Sequence, residues 1–213
     1  MNQIDRQIAN KLLQIKAIKL QPTNHFTWAS GWFSPIYCDN RKTLSFPEVR
    51  TFIKEAFVKT INENFKDFDL IAGVATGAIA QGALVAEAMN KPFVYVRSQA
   101  KEHGMGNQIE GQLDKNKKVV VIEDLISTGG SSLSAVKAIR EANCEVVGML
   151  AIFTYNFKKA IDNFKKENVR LITLSNYDIL IEEAIAMGYV SNSDLNLLKE
   201  WRLDPENWKK NKD

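Results

Sequence analysis

The chain has 213 residues, 45% of them apolar and 25% charged, with 11 glycines and 5 prolines. That make-up belongs to an ordinary globular domain and excludes disordered, collagen-like and low-complexity classes. Lysine and arginine total 28 against 25 acidic residues, and a net charge of +3 is too small for the basic stripe of a dedicated nucleic-acid binder, so no nucleic-acid partner is expected. Cys38 and Cys144 are too few and too far apart for a disulfide framework, which favours a reducing compartment. The opening MNQIDRQIANKLLQ lacks the apolar stretch and small-residue cleavage site of a signal peptide, so a cytoplasmic location is expected.

In chain order, Ile4, Ile8, Leu12, Leu13 and Ile15 recur near helical spacing and predict an amphipathic helix over 2–17, ending before Pro22. FTWASGWFSPIYCDNR, from Phe26 to Arg41, carries two aromatic or β-branched runs around Ser30-Gly31 and reads as a short hairpin or irregular β segment. Pro47 sits well at a first helical turn and opens a helix to about Phe65. Leu70–Met89 is apolar enough to raise the question of a membrane span, but Gln81 and Glu87 interrupt it and Gly73 and Gly77 suggest a turn. It reads instead as a strand, LIAGVA, followed by a buried helix, and no membrane partner is expected. Strands follow at 92–96, 119–122, 145–153 and 169–174, with helices at 131–142, 156–167 and 178–187. Fully apolar strands alternating with helices predict an α/β fold, an open, mostly parallel sheet flanked by helices. Ligands of such folds gather beyond the carboxyl ends of the strands. Residues 98–117, SQAKEHGMGNQIEGQLDKNK, form a long polar stretch between two strands, a length that usually marks a functional lid or a disordered insertion. The tail EWRLDPENWKKNKD is expected to pack Trp201, with Trp208 beside it, and then fray.

The chemistry concentrates in VVVIEDLISTGGSS, 119–132. Four β-formers lead into Glu123 and Asp124, then Ser127, Thr128, Gly129, Gly130 and Ser131, then the helical LSAVKAIREA. Glycines let the backbone approach an anion, and the amides of a helix start with hydroxyls beside them supply donors at the positive end of the helix dipole. This is a phosphate cradle but no Walker A loop, since no Gly-Lys-Ser/Thr follows, and the Gly104-x-Gly106 pair lacks the third glycine of a dinucleotide site. Two acids beside such a cradle suit a ribose 5-phosphate: carboxylates accept hydrogen bonds from vicinal hydroxyls and favour positive charge at the anomeric carbon. An aspartate N-cap with a Ser/Thr-rich turn would account for Asp124 or Ser127 alone, but not for the whole arrangement.

With its strand, acid pair and Thr/Gly loop, the segment resembles the type I phosphoribosyltransferases, and EDLISTGGS is similar to their orotate-using branch. FTWASGWFSPIYCDNR resembles that family's small N-terminal hood, and RSQAKEHGMGNQIEG its mobile loop, so the likeness runs from about Phe26 to Gly188. It implies one domain over 1–213: N-terminal helices and hood to 65, an α/β core over 66–190 containing the loop 98–117, and a tail from 191. It also implies 5-phosphoribosyl 1-diphosphate (PRPP) and orotate as substrates. Glu123, Asp124, Leu125, Ile126, Ser127, Thr128, Gly129, Gly130 and Ser131 would bind the sugar 5-phosphate and ribose, with Ser127 also near orotate. Arg97, Lys101 and His103 would bind the diphosphate, and Lys101, Glu123 and Asp124 would be the catalytic groups. The family's Mg²⁺ would be held by diphosphate and hydroxyl oxygens rather than by a protein cage, and two histidines exclude a multi-histidine site. A homodimer sharing the loop across subunits is implied as well.

Three readings compete at single residues. For Arg97 a structural ion pair is the lesser reading, Lys101 taken alone reads more readily as a solvated charge pair with Glu102, and His25 reads as structural. Ala29, Gly77 and Ser98 stand where a well-known form of the family has lysines, and Tyr155 where it has an arginine on orotate. A purine phosphoribosyltransferase and a non-catalytic PRPP-binding regulator are the alternative functions.

Overall fold

The computed structural model describes residues 3–97 and 108–209. Helix α1 (Gln3–Gln14) buries Ile8, Ala9, Leu12 and Leu13. It stops three residues short of the sequence expectation, because the chain turns at Lys16, with φ +55°, and enters strand β1 (Ile18–Leu20). The expected hairpin is present: β2 (Phe26–Thr27) pairs antiparallel with β3 (Phe33–Ser34). Gly31, at φ +83°, makes its turn and donates its N–H to the Trp28 carbonyl at 2.8 Å, a conformation that favours glycine. Strand β4 (Ile36–Cys38) pairs with β1, and a 3-10 helix over Asn40–Ser45 leads into α2 (Pro47–Asn64).

The core alternates as expected: β5 (Leu70–Val74), α3 (Ile79–Ala88), β6 (Phe93–Val96), β7 (Ile109–Glu110), β8 (Lys118–Ile126), α4 (Gly130–Glu141), β9 (Glu145–Thr154), α5 (Lys158–Lys166), β10 (Leu171–Asn176) and α6 (Tyr177–Ala186). The strands lie in the order β10-β9-β8-β5-β6-β7, and every pairing is parallel except that of β7 with β6. The described half of the stretch read as a polar loop is thus partly an antiparallel edge strand; Ser98–Asn107 lie outside the described residues. The sheet is covered on both faces. One apolar cluster joins α1, α2, α3 and α6 to Ile71, Val120, Ile122 and Leu150; the other joins α4 and α5 to Ala72, Val119, Val121 and Met149. Successive strand residues point to opposite faces, which is why neighbours in β8 divide between the two clusters.

After α6 the chain forms α7 (Leu195–Leu203), a helix that the sequence reading did not place. Trp201 is 0% exposed and Trp208 is buried as well, so two indoles anchor the segment. Among the described residues no helix is long and apolar enough to cross a membrane.

Candidate active site

From β5 the chain crosses to β6 on one side, and from β8 to β9 on the other. The helices that follow, α3 and α4, accordingly pack on opposite faces of the sheet, and a crevice opens between the carboxyl ends of β5 and β8, where ligands of open α/β sheets bind. The turn 75–78 and the segment 123–131 line it.

Strand β8 is longer than the apolar run suggested. Its partner β9 keeps pairing through Glu123↔Ala151, Leu125↔Phe153 and Ile126↔Thr154, so both acids lie inside the strand rather than after it, and alternation splits them. Glu123 faces α4, 4% exposed, with one carboxyl oxygen accepting from the Ser132 hydroxyl at 2.8 Å and the other from the Asp124 N–H at 2.9 Å. Burial, then the neighbouring Asp124 charge, raises its pKa to about 8, so at neutral pH it is largely uncharged. Asp124 is half-buried on the other face, where a Cβ placed on Gly77 would stand 2.3 Å from its carboxylate. Asn40, from the 3-10 helix, donates its side-chain amide to the Asp124 carbonyl at 2.6 Å. Of the two acids expected on ribose, the fold presents Asp124 to the crevice and seals Glu123 behind it.

The loop 127–129 runs into α4 through Gly129, the N-cap residue, at φ +81° and with no side-chain capping bond. The first amides of a helix have no intrahelical partner, and a Cβ on Gly130 would meet nothing within 4 Å, so space lies open above the helix start. Ser127 and Thr128 are half-buried, and Gly130 and Ser131 are exposed. Leu125 and Ile126 turn their side chains into the two cores, and the Ile126 carbonyl accepts from the Tyr155 N–H at 3.2 Å, so any contact they make to a ligand comes from the main chain. From below, α5 supports the loop: Asn163 donates to the Thr128 carbonyl at 3.1 Å, and the Phe164 ring lies 2.8 Å from where a Gly129 Cβ would be.

Arg97, past the end of β6, lies 3.6 Å from Glu110 of β7, so an ion pair ties it to the edge strand. Lys101 and His103 lie outside the described residues. His25 packs its ring against Phe33 and Trp208, at 4.7 and 5.8 Å, the structural role expected of it. Tyr155 is buried beside Trp28 at 5.2 Å and Phe157 at 5.3 Å. Burial, with Cys38, Tyr177 and Asp124 adding to it, lifts its hydroxyl pKa well above the ordinary tyrosine value.

Sequence reasoning missed Asn40, Ser132, the Gly77 turn as a wall of the site, and Asn163 with Phe164. Only Gly77 carried a local signal, a glycine just past an apolar strand; the others act across 9 to 84 residues of sequence.

The fold, with its crevice and glycine cradle, is that of a phosphoribosyltransferase. A family model described as "Phosphoribosyl transferase domain" matches residues 46–186, and the chain belongs to that family. It is 59% identical to the orotate phosphoribosyltransferase of Porphyromonas gingivalis over 98% of this chain and 99% of that one, which places it in the orotate phosphoribosyltransferase branch. Among solved structures, the orotate phosphoribosyltransferase of Aeropyrum pernix superimposes with a TM-score of 0.75 at 25% identity, over 86% of this chain and 99% of that one. Leishmania donovani UMP synthase gives 0.78 at 23% identity, over 93% of this chain and 42% of that one, a likeness of fold.

Proposed function

We propose that this chain transfers the 5-phosphoribosyl group of PRPP to orotate, giving orotidine 5'-phosphate and diphosphate in pyrimidine (UMP) biosynthesis. What carries the reading is the position of Asp124, between an uncapped helix start and a glycine turn, in a chain 59% identical to an orotate phosphoribosyltransferase. The sugar phosphate takes the amides and hydroxyls of 127–131, donors at the positive end of α4. Asp124 accepts from the ribose hydroxyls, and its charge favours the cationic character that grows at the anomeric carbon as the bond to diphosphate breaks. The electron pair of that bond leaves with diphosphate, while an orotate ring nitrogen supplies the pair of the new carbon–nitrogen bond and gives up its proton to diphosphate or water, so no covalent enzyme intermediate is formed. Glu123, neutral and tied to Ser132, sets the angle at which β8 delivers Asp124.

Arg97, Lys101 and His103 supply cationic donors to the departing diphosphate, and Ser127 lies towards orotate. Magnesium suits the donor set: no group of three His, Cys, Asp or Glu that could hold a metal occurs among the described residues, and this ion binds through one or two carboxylates with substrate phosphates completing its shell. Asp124 is the carboxylate that would share it, and the ion would neutralise charge on the diphosphate. A cytoplasmic homodimer, with the 98–117 loop closing the partner's site, completes the proposal.

The test incubates the protein with PRPP, Mg²⁺ and a panel of bases. Loss of orotate absorbance is the expected result. Consumption of a purine base instead, or saturable PRPP binding without turnover of any base, would overturn it.

A further inference from the structure

The hood hairpin has two residues in each strand, far below what holds a hairpin together in water. Its conformation therefore depends on what it docks against, and the largest fully buried side chain in the described structure, Trp201 of α7, docks it. The Trp201 indole N–H donates to the carbonyl of Phe33 in β3 at 3.2 Å. Its ring meets Trp28 at 5.7 Å on the hairpin, Tyr155 at 5.7 Å and Phe157 at 5.3 Å beyond β9, and Tyr177 at 5.4 Å on α6. Further along, Trp208 touches His25, the residue before β2, at 5.8 Å. Tyr177 ties the helix back to the core by donating its hydroxyl to the Leu198 carbonyl at 3.0 Å.

We infer that the segment 195–209, through Trp201, is a strap that positions the hood over the crevice, making Trp201 a positioning residue for the base rather than for the sugar phosphate. The inference rests on the transfer to orotate proposed above. Trp201 touches the hairpin and Tyr155, the residue that by resemblance stands where other forms hold orotate, whereas the 127–131 cradle is held by α5 through Asn163 and Phe164. Disturbing the strap should therefore loosen one subsite and spare the other.

Trp201→Phe keeps an aromatic ring and removes the N–H that reaches Phe33. The expected result is a rise in orotate KM of about five- to tenfold, the size of one part-buried hydrogen bond, with PRPP KM unchanged. Amide exchange over 26–34 should quicken while the β5, β8 and β9 amides keep their protection. Equal rises in both KM values, no change in either, or unchanged exchange in the hairpin would overturn the inference. Should Trp201→Phe not fold, Trp208→Leu is read by the same two measurements and the same criteria. Failure of the unaltered protein to consume orotate would strike the proposed function alone, and hairpin exchange would then decide the strap by itself.

Discussion

Gly77 and Asp124 set the geometry of the crevice at the scale of single residues. With 2.3 Å between a hypothetical Cβ and the Asp124 carboxylate, any side chain at 77 displaces that acid, which gives a steric account of a glycine where other forms of the family carry lysine. Because the atom met is the end of a side chain, Gly77→Ala should fold. PRPP KM should rise about tenfold, one 1.4 kcal/mol step, with an unchanged melting temperature; steady-state kinetics beside thermal unfolding would show it. Glu123 makes a different prediction. Its pKa rises from 4.5 to about 8 on folding, so the stability linked to its protonated form is complete below pH 4.5 and drains away as pH climbs through 8. At about 1.4 kcal/mol per unit, urea unfolding should find the protein weaker by about 3 kcal/mol at pH 9 than at pH 6 through this group. Glu123→Gln should flatten that slope; an equally steep slope in the variant would refute the assignment. The acid pair was plain in the sequence, yet which member is buried against α4 was not, because that depends on where the strand ends.

Elements show why. Hydrophobicity in β8 stops at Ile122, and a reading by apolar runs stops there too, but hydrogen bonding to the ten-residue β9 carries the strand on to Ile126. A partner strand decides the length, and the length decides the faces. The cradle likewise has a foundation that its own residues do not announce. Phe164 of α5, buried beneath Gly129, is read from sequence as one more apolar residue on an amphipathic helix. Phe164→Ala should cost about 3–5 kcal/mol in urea unfolding. It should also raise PRPP KM, since the αL turn at Gly129 loses its floor, and an unchanged KM would remove α5 from the site. Residues 195–203, LNLLKEWRL, follow the same logic: their helix is held where Leu198 and Trp201 find an apolar surface prepared by β9, α6 and the hood.

For the molecule as a whole, the crossing from β6 back to β8 puts the switch point between β5 and β8, and the proposed loop sharing makes the dimer the catalytic unit. Lys101→Ala and Asp124→Asn should each abolish turnover, one through the loop and one through the crevice. Mixed and allowed to exchange subunits, the two should recover about a quarter of normal activity, because half the dimers are hybrids with one intact site each in a two-fold assembly. No recovery, with exchange verified by differently tagged subunits, would place each loop on its own subunit's site. Taken by itself, the order of residues determined the α/β class, the positions of most helices and strands and the identity of the cradle, because apolar periodicity, glycine and hydroxyl-rich turns act over a few residues. Only the tertiary structure decided that Glu123 turns inward and Asp124 outward, that Gly77 walls the crevice, that α5 floors the cradle and that Trp201 grips the hood. Each of those depends on contact between segments distant in the chain, and packing, not local propensity, selects such partners.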